Sequence, residues 1–144
     1  MPALESRIRS RLKGTPDVAS LVSGQIYGGY APQAASGDYL VLQRISTTPL
    51  TVISPLGTNS NGDVQARIQI DCIANPKPSD TRDVYFRVKA IADAVRASLH
   101  GWSEAGAKIT SCLLANEIDD TEPPGDGSNV ATQRVIQDYI IWFQ

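Results

Sequence analysis

Nucleophilic chemistry in this chain would have to be organised around His100, its one imidazole. A serine or cysteine nucleophile needs a base within hydrogen-bond reach, so His100 would have to activate Ser98, Ser103 or a thiol. No G-x-S-x-G elbow accompanies it. His100 stands just before Gly101, at the end of a helical pattern, where the dipole favours a cation and a ring N–H reaches the last carbonyls. That structural role is the simpler reading. Cys72 and Cys112 each lie in an apolar run and form no C-x-x-C pair, which predicts two buried, reduced thiols. A disulfide between them would require adjacent strands and an oxidising compartment.

Zinc asks for about four nitrogen or sulfur ligands at close spacing, and two distant cysteines with one histidine do not supply them. Glu117, Asp119, Asp120, Glu122 and Asp126 form the one dense carboxylate group, without the alternating ligand spacing of a calcium loop. They read as part of a solvated, turn-rich acidic loop over residues 119–129, a poor place to hold a catalytic carboxylate pair at fixed separation. Gly28-Gly29 and Lys13-Gly14-Thr15 complete neither a Walker nor a dinucleotide pattern and serve as turns. No catalytic residue, cofactor or metal is expected. Arg7, Arg9, Arg11 and Lys13 pair at spacing four into two basic ridges opposite the apolar stripe Leu4, Ile8 and Leu12. These ridges are a solvated face, or a surface for an acidic protein partner or for phosphates.

The elements that must position these groups follow from length and patterning. The 144 residues fit one domain, 1–144, which buries roughly two-thirds of its unfolded surface without staples. Thirteen Lys and Arg against 15 Asp and Glu give no field to hold a polyanion. Aromatics make up 6% of residues and are not interleaved with the basic positions, as a nucleic-acid stacking platform requires. No segment approaches the ~18 apolar residues of a membrane span, and the start of the chain lacks a signal peptide's apolar core. The expectation is a soluble protein made in the cytoplasm.

The pattern predicts a helix over residues 2–13, stopped by Gly14, and a short helix from an Asp17 cap to Gly24. Extended structure follows at Ile26-Tyr27 and over residues 39–45. Residues 50–63 carry most of the turn signals, with Asn61-Gly62 the strongest hairpin signal. Val64, Ala66, Ile68, Ile70 and Cys72 then alternate with polar residues, the clearest strand in the chain. Ser79 or Asp80 can cap a long helix carrying Val84, Val88, Ile91, Val95 and Leu99. Strands over 108–118 and 130–144 close the order, and the second, apolar on both faces at its end, is expected to finish inside a sheet or an interface. Arg134, Gln137 and Asp138 are its expected wet positions. The fold class is therefore α+β, a mostly antiparallel sheet with the N-terminal helix and one long helix packed on one face.

One ordered set of segments carries a family likeness: the apolar-striped first helix, Gln25-Ile26-Tyr27, the Pro32-Gln33 loop, residues 38–46, the alternating strand 66–74, the helix 84–99, an acidic loop and the closing strand 134–139. Over nearly its whole length the chain resembles the tail-completion, or tail-terminator, proteins of long-tailed bacteriophages. The resemblance implies a virion structural subunit, not an enzyme, made in the host bacterial cytoplasm. It implies a sixfold ring of copies on the head-proximal end of the tail tube. That ring would end tube polymerisation and join the tail to the connector or stopper protein, with DNA passing through its lumen unread and no membrane involved. Another neck component, a head-completion or stopper protein, would share these traits, and a small cytoplasmic enzyme is the remaining alternative. A closed ring needs two different complementary patches on each subunit. The expected contacts are Arg7 and Arg11 on the first helix, the apolar residues Leu50, Val52, Ile53 and Leu56 of a projecting 50–63 segment, and the acidic Asp119, Asp120, Glu122 and Asp126.

Overall fold

The computed structural model describes residues 3–33, 36–49, 52–53, 59–60, 64–76, 84–106, 108–122 and 132–144. Helix α1 (Leu4–Lys13) forms because Leu4, Ile8 and Leu12 recur every fourth residue and bury one stripe, while Glu5 and Lys13 suit the two ends of its dipole. The Gly14 N–H donates to the Ser10 carbonyl at 2.9 Å and closes it. Helix α2 (Pro16–Val22) has Thr15, not the expected Asp17, at its N-cap. Pro16 takes the first helical position, where its missing N–H costs nothing, and Asp17 falls inside the first turn. Ser23 and Gly24, both at positive φ, turn the chain out of α2 and into β1 (Ile26–Gly28).

Strand β2 (Tyr39–Pro49) continues four residues beyond its expected end, with a bulge between Arg44 and Ser46. Strands β3 (Val52–Ile53) and β4 (Asn59–Ser60) pair with each other as a two-stranded ribbon outside the main sheet. The expected turn at Asn61-Gly62 lies outside the described residues. Strand β5 (Val64–Ala74) carries the alternation, with Ala66, Ile68, Ile70, Cys72 and Ala74 buried. Helix α3 (Val84–Leu99) has the bounds its periodicity predicts; its expected caps, Ser79 and Asp80, lie outside the described residues. Strands β6 (Ile109–Glu122) and β7 (Thr132–Phe143) complete a sheet of order β1-β2-β5-β7-β6.

The sheet is mixed: β1 lies parallel to β2, and every other pairing is antiparallel. The closing strand β7 lies between β5 and β6, inside the sheet as its apolar end predicts. The α+β class holds. One face of the sheet, carrying Leu40, Ile68, Ile70, Val135, Tyr139 and Cys112, packs against Leu4, Ile8, Leu12, Val18, Ile91 and Val95 of the three helices in a single apolar cluster. Helix α1 rests on β1 and β2, whereas α3 crosses β5, β7 and β6. The two helices thus mark opposite flanks of the sheet.

Gln137 corrects the expected wet face of β7. It shares parity with Val135 and Tyr139, points into the helix side and is 0% exposed. Its amide Nε2 donates to the Ala92 carbonyl and to Glu117 Oε1, each at 2.9 Å, and its Oε1 accepts the Tyr139 hydroxyl at 2.9 Å. A buried amide with every strong group satisfied ties α3 to β7 and β6.

Candidate assembly interface

The N-terminal ridge divides in two. Arg7 lies over the Phe143 ring, 5.8 Å from its centroid, and Arg11 lies over Trp102 at 5.6 Å and donates through Nε to the Ser98 carbonyl at 3.3 Å. Both guanidiniums therefore stack back on their own chain. Arg44 joins Arg7 on Phe143 and pairs with Glu5, Nη2 to Oε2 at 2.9 Å. Burial raises the Glu5 carboxyl, but the Arg44 hydrogen bond and charge outweigh it and hold the group below its ordinary value. Arg9 and Lys13, one turn apart, are exposed and make no ion pair among the described residues. They are outward cations of this flank, beside the exposed Arg11.

The expected acidic loop is strand along its first part. Asp119, Asp120 and Glu122 belong to β6 and pair in register with Val135, Arg134 and Thr132, while Asp126 lies outside the described residues. Alternation along β6 sends Asp119 to the helix side and Asp120 to the opposite face. Asp119 accepts from Lys89 and, at 3.1 Å, from the Tyr85 hydroxyl. Lys89 also sits over the Tyr85 ring at 5.4 Å. The Lys89 hydrogen bond holds the Asp119 carboxyl below its ordinary value against the small opposing effect of burial. The Lys89 ammonium is correspondingly raised, chiefly by that same bond. Asp120 pairs with Arg134, and Glu117 accepts from Arg96 at 3.4 Å. These three carboxylates are thus largely answered by cations of their own chain. The turn residues after Glu122 suggested a loop over the whole segment; the β6–β7 register carries the strand through Asp119 and Asp120 to Glu122.

Of the 50–63 segment, Val52 and Ile53 form β3, opposite Ser60 and Asn59, and Leu50 and Leu56 lie outside the described residues. The candidate contacts therefore fall in three places: Arg7 and Arg11 on the α1 flank, Asp119, Asp120 and Glu122 on the β6 flank, and the ribbon between β2 and β5.

Two ion pairs escape a sequence reading. Asp38, at the entry to β2, takes a fork from Arg87 of α3, Nε to Oδ2 and Nη2 to Oδ1 both at 3.1 Å, and Arg87 also donates to the Asn75 carbonyl. Asn75 in turn donates to the Gly37 carbonyl at 2.8 Å and accepts from Thr132 at 3.0 Å, so one short cluster ties the start of α3 to three strands. On the sheet face away from the helices, Asp138 is 6% exposed and accepts from Arg67 at 2.9 Å, while its Oδ1 has no hydrogen-bond partner among the described residues. Nothing in the spacing of these residues announces a pair, because each partner lies on a distant element.

His100 does not act as a donor to the end of α3. Its Nδ1 accepts the Leu114 N–H at 3.0 Å, and the Gly101 N–H donates to the Cys112 carbonyl at 2.7 Å. The turn after α3 thereby occupies part of the outer edge of β6. Cys72 and Cys112 are buried free thiols; burial pushes Cys72 far up and Cys112 up to about 12. A shallow depression of about 380 Å³ is lined by residues including Ser103, Glu104, Lys108 and Gln144 and does not include His100. Among the described residues no three metal-ligating side chains come together, and no helix is long and apolar enough to cross a membrane.

Among the described residues the fold is a one-sided α+β layer, with ion pairs on its flanks and on its open face. Comparison with known proteins gives its family. The family model described as tail completion protein gp17 matches residues 6–144, and the chain belongs to that family. It is a structural protein of a phage-type tail or neck. Its fold is shared with a chain of a solved structure titled "Virion of native gene transfer agent (GTA) particle", 14% identical, with a TM-score of 0.65 over 98% of this chain and 94% of that one. A second solved chain, 11% identical over 99% of both chains with a TM-score of 0.46, is too distant to carry an argument. No curated protein matches the sequence.

Proposed function

We propose that this chain, acting as one domain over residues 1–144, forms a ring at the head-proximal end of the tail tube. There it ends tube polymerisation and presents the surface to which the head-side connector or stopper protein binds. The observation that carries this reading is the family match over residues 6–144. The fold shared with a chain of a gene transfer agent virion supports a place in such a particle. Six copies would enclose a lumen through which DNA passes without being read. The protein would be made in the host bacterial cytoplasm and act in the virion, without enzymatic activity. The β3–β4 ribbon, outside the main sheet and carrying Val52 and Ile53, is the element we assign to the tube or to a neighbouring copy.

Deleting the gene from its parent phage or prophage and scoring particles by negative-stain microscopy tests this. Overlong tubes without heads are expected. Tails of normal length lacking heads, or filled heads that leak DNA, would reject tube termination in favour of a head-completion or stopper role. Unaltered particles would reject both.

A further inference from the structure

The large apolar side chains that the fold leaves exposed divide between two places. Leu21 and Tyr30, the latter 80% exposed, bracket the edge strand β1, and Ile45 stands at the bulge of the neighbouring β2. Tyr85 and Phe86 at 70% stand on α3, and Leu113 and Ile118 at 51% stand on β6, the opposite edge of the sheet, on the face away from α3. Tyr85 and Phe86 pack edge to face, with centroids 5.8 Å apart, and Lys89 lies over the Tyr85 ring. Exposed aromatics already ordered by their neighbours lose little freedom on docking, which makes them good anchors.

Charge divides along the same line. The α1 flank presents Arg9 and Lys13 without acidic partners among the described residues. The β6 flank is rich in carboxylates: Asp93, Glu117, Asp119 and Asp120 pair with Lys89, Arg96 and Arg134 among the described residues. One flank thus carries two cations and Asp17 beside its apolar side chains, and the other a slight excess of carboxylates beside its own. They are different patches at opposite ends of the strand order, and a head-to-tail contact between identical chains needs two different patches.

We propose that these flanks are the two halves of one heterologous seam, and that the partner each takes is a second copy of this chain. The β1 edge at Tyr30, with Arg9 and Lys13 of α1, docks on the β6 edge of the next subunit, taking Phe86 on its helix side and Ile118 on its open face. Apolar anchors supply the affinity; the charge difference sets encounter rate and register. This rests on the ring reading above and adds where the ring closes.

Two variants test it, one for each flank: Arg9→Glu with Lys13→Glu and Tyr30→Ala, and Phe86→Ala with Ile118→Lys. All five positions are exposed, and circular dichroism with a melting curve confirms that each variant is folded. Sedimentation of parent, variants and mixtures gives the answer. The parent is expected to assemble, each variant alone to be monomeric with association weakened about tenfold or more, and the equimolar mixture to give 1:1 dimers that grow no further. Only a seam joining two different faces restores a contact on mixing in this way. Variants that assemble like the parent would overturn the seam and leave the ring standing. Variants that fail both alone and mixed would overturn the head-to-tail pairing. A parent that stays monomeric to its solubility limit would overturn the seam, and the tail-length experiment decides separately whether the ring reading falls with it.

Discussion

Removing both ends of the hydrogen bond from Tyr139 to Gln137 should cost less than the two single removals added together. Tyr139 and Gln137 are each 0% exposed, and the hydroxyl donates to the amide oxygen at 2.9 Å. Burial pushes the Tyr139 hydroxyl well above its ordinary range, so it stays a donor at any pH of interest. Tyr139→Phe strands Gln137 Oε1 in the core, a loss of about 1–3 kcal/mol. Gln137→Leu strands the tyrosine hydroxyl and also takes the amide donor from Glu117, so about 2–4 kcal/mol is expected. Glu117 keeps Arg96 and is partly exposed, which limits the second part of that loss. The double variant has no stranded pair and should be destabilised by less than the sum of the two, with a coupling of about 1 kcal/mol or more. Urea unfolding with an unchanged m value measures all three. Additivity within about 0.5 kcal/mol would refute the reasoning, because the two groups would then not depend on each other.

Three further outcomes follow from the same structure. Arg87→Ala leaves the nearly buried Asp38 carboxylate without its fork and should cost about 3–5 kcal/mol in urea unfolding, whereas a loss under about 1 kcal/mol would mean that the pair is solvated. Cys72 and Cys112 should resist a thiol reagent in the folded chain and react together on unfolding, since burial disfavours both thiolates; fast labelling of either in the native protein would contradict this. The lowered Asp119 carboxyl contributes stability above its unfolded pKa near ~4, lost as pH falls through the folded value; raised Lys89 contributes below its unfolded pKa near ~10.4, lost as pH rises through its folded value. The gap in urea midpoint between parent and Lys89→Ala, worth at most about 1 kcal/mol at neutral pH, should therefore shrink in acid, and a gap that widens there would reverse the sign of the argument.

Much of this fold is legible in local pattern. The bounds of α3 follow from the spacing of Val84, Val88, Ile91, Val95 and Leu99, and those of β5 nearly so from strict alternation, because each element buries one face against the same core. What resisted reading depends on partners far away in the chain. Gln137 reads as a surface residue until the Ala92 carbonyl and Glu117 are placed beside it, although its parity with Val135 and Tyr139 was a usable signal. Asp119 and Asp120 look like loop residues because acids and turn formers cluster there, and only pairing with β7 makes them strand. Arg7 and Arg11 were legible as a ridge, but their rings, Phe143 and Trp102, stand more than ninety positions further along. Spacing shows which charges share a helix face and is silent on what the rest of the chain brings to that face.

The same distinction bears on how a chain of this kind assembles. Ionic groups satisfied within the subunit, such as Asp38 with Arg87 or Arg44 with Glu5, change little when a partner arrives, so they stabilise the fold without specifying a neighbour. Groups left over, Arg9, Lys13 and the apolar side chains of the two edges, are those on which docking can act. The helices close the core of the subunit against one face of the sheet. Its edges are a different matter: β1 is three residues long, and the turn at His100 and Gly101 occupies part of β6, so open-ended strand addition is discouraged at both. Side-chain contact between flanks is then the favoured route. Such a contact fixes a rotation between neighbours and so can close a ring, where unrestricted edge pairing would propagate a sheet.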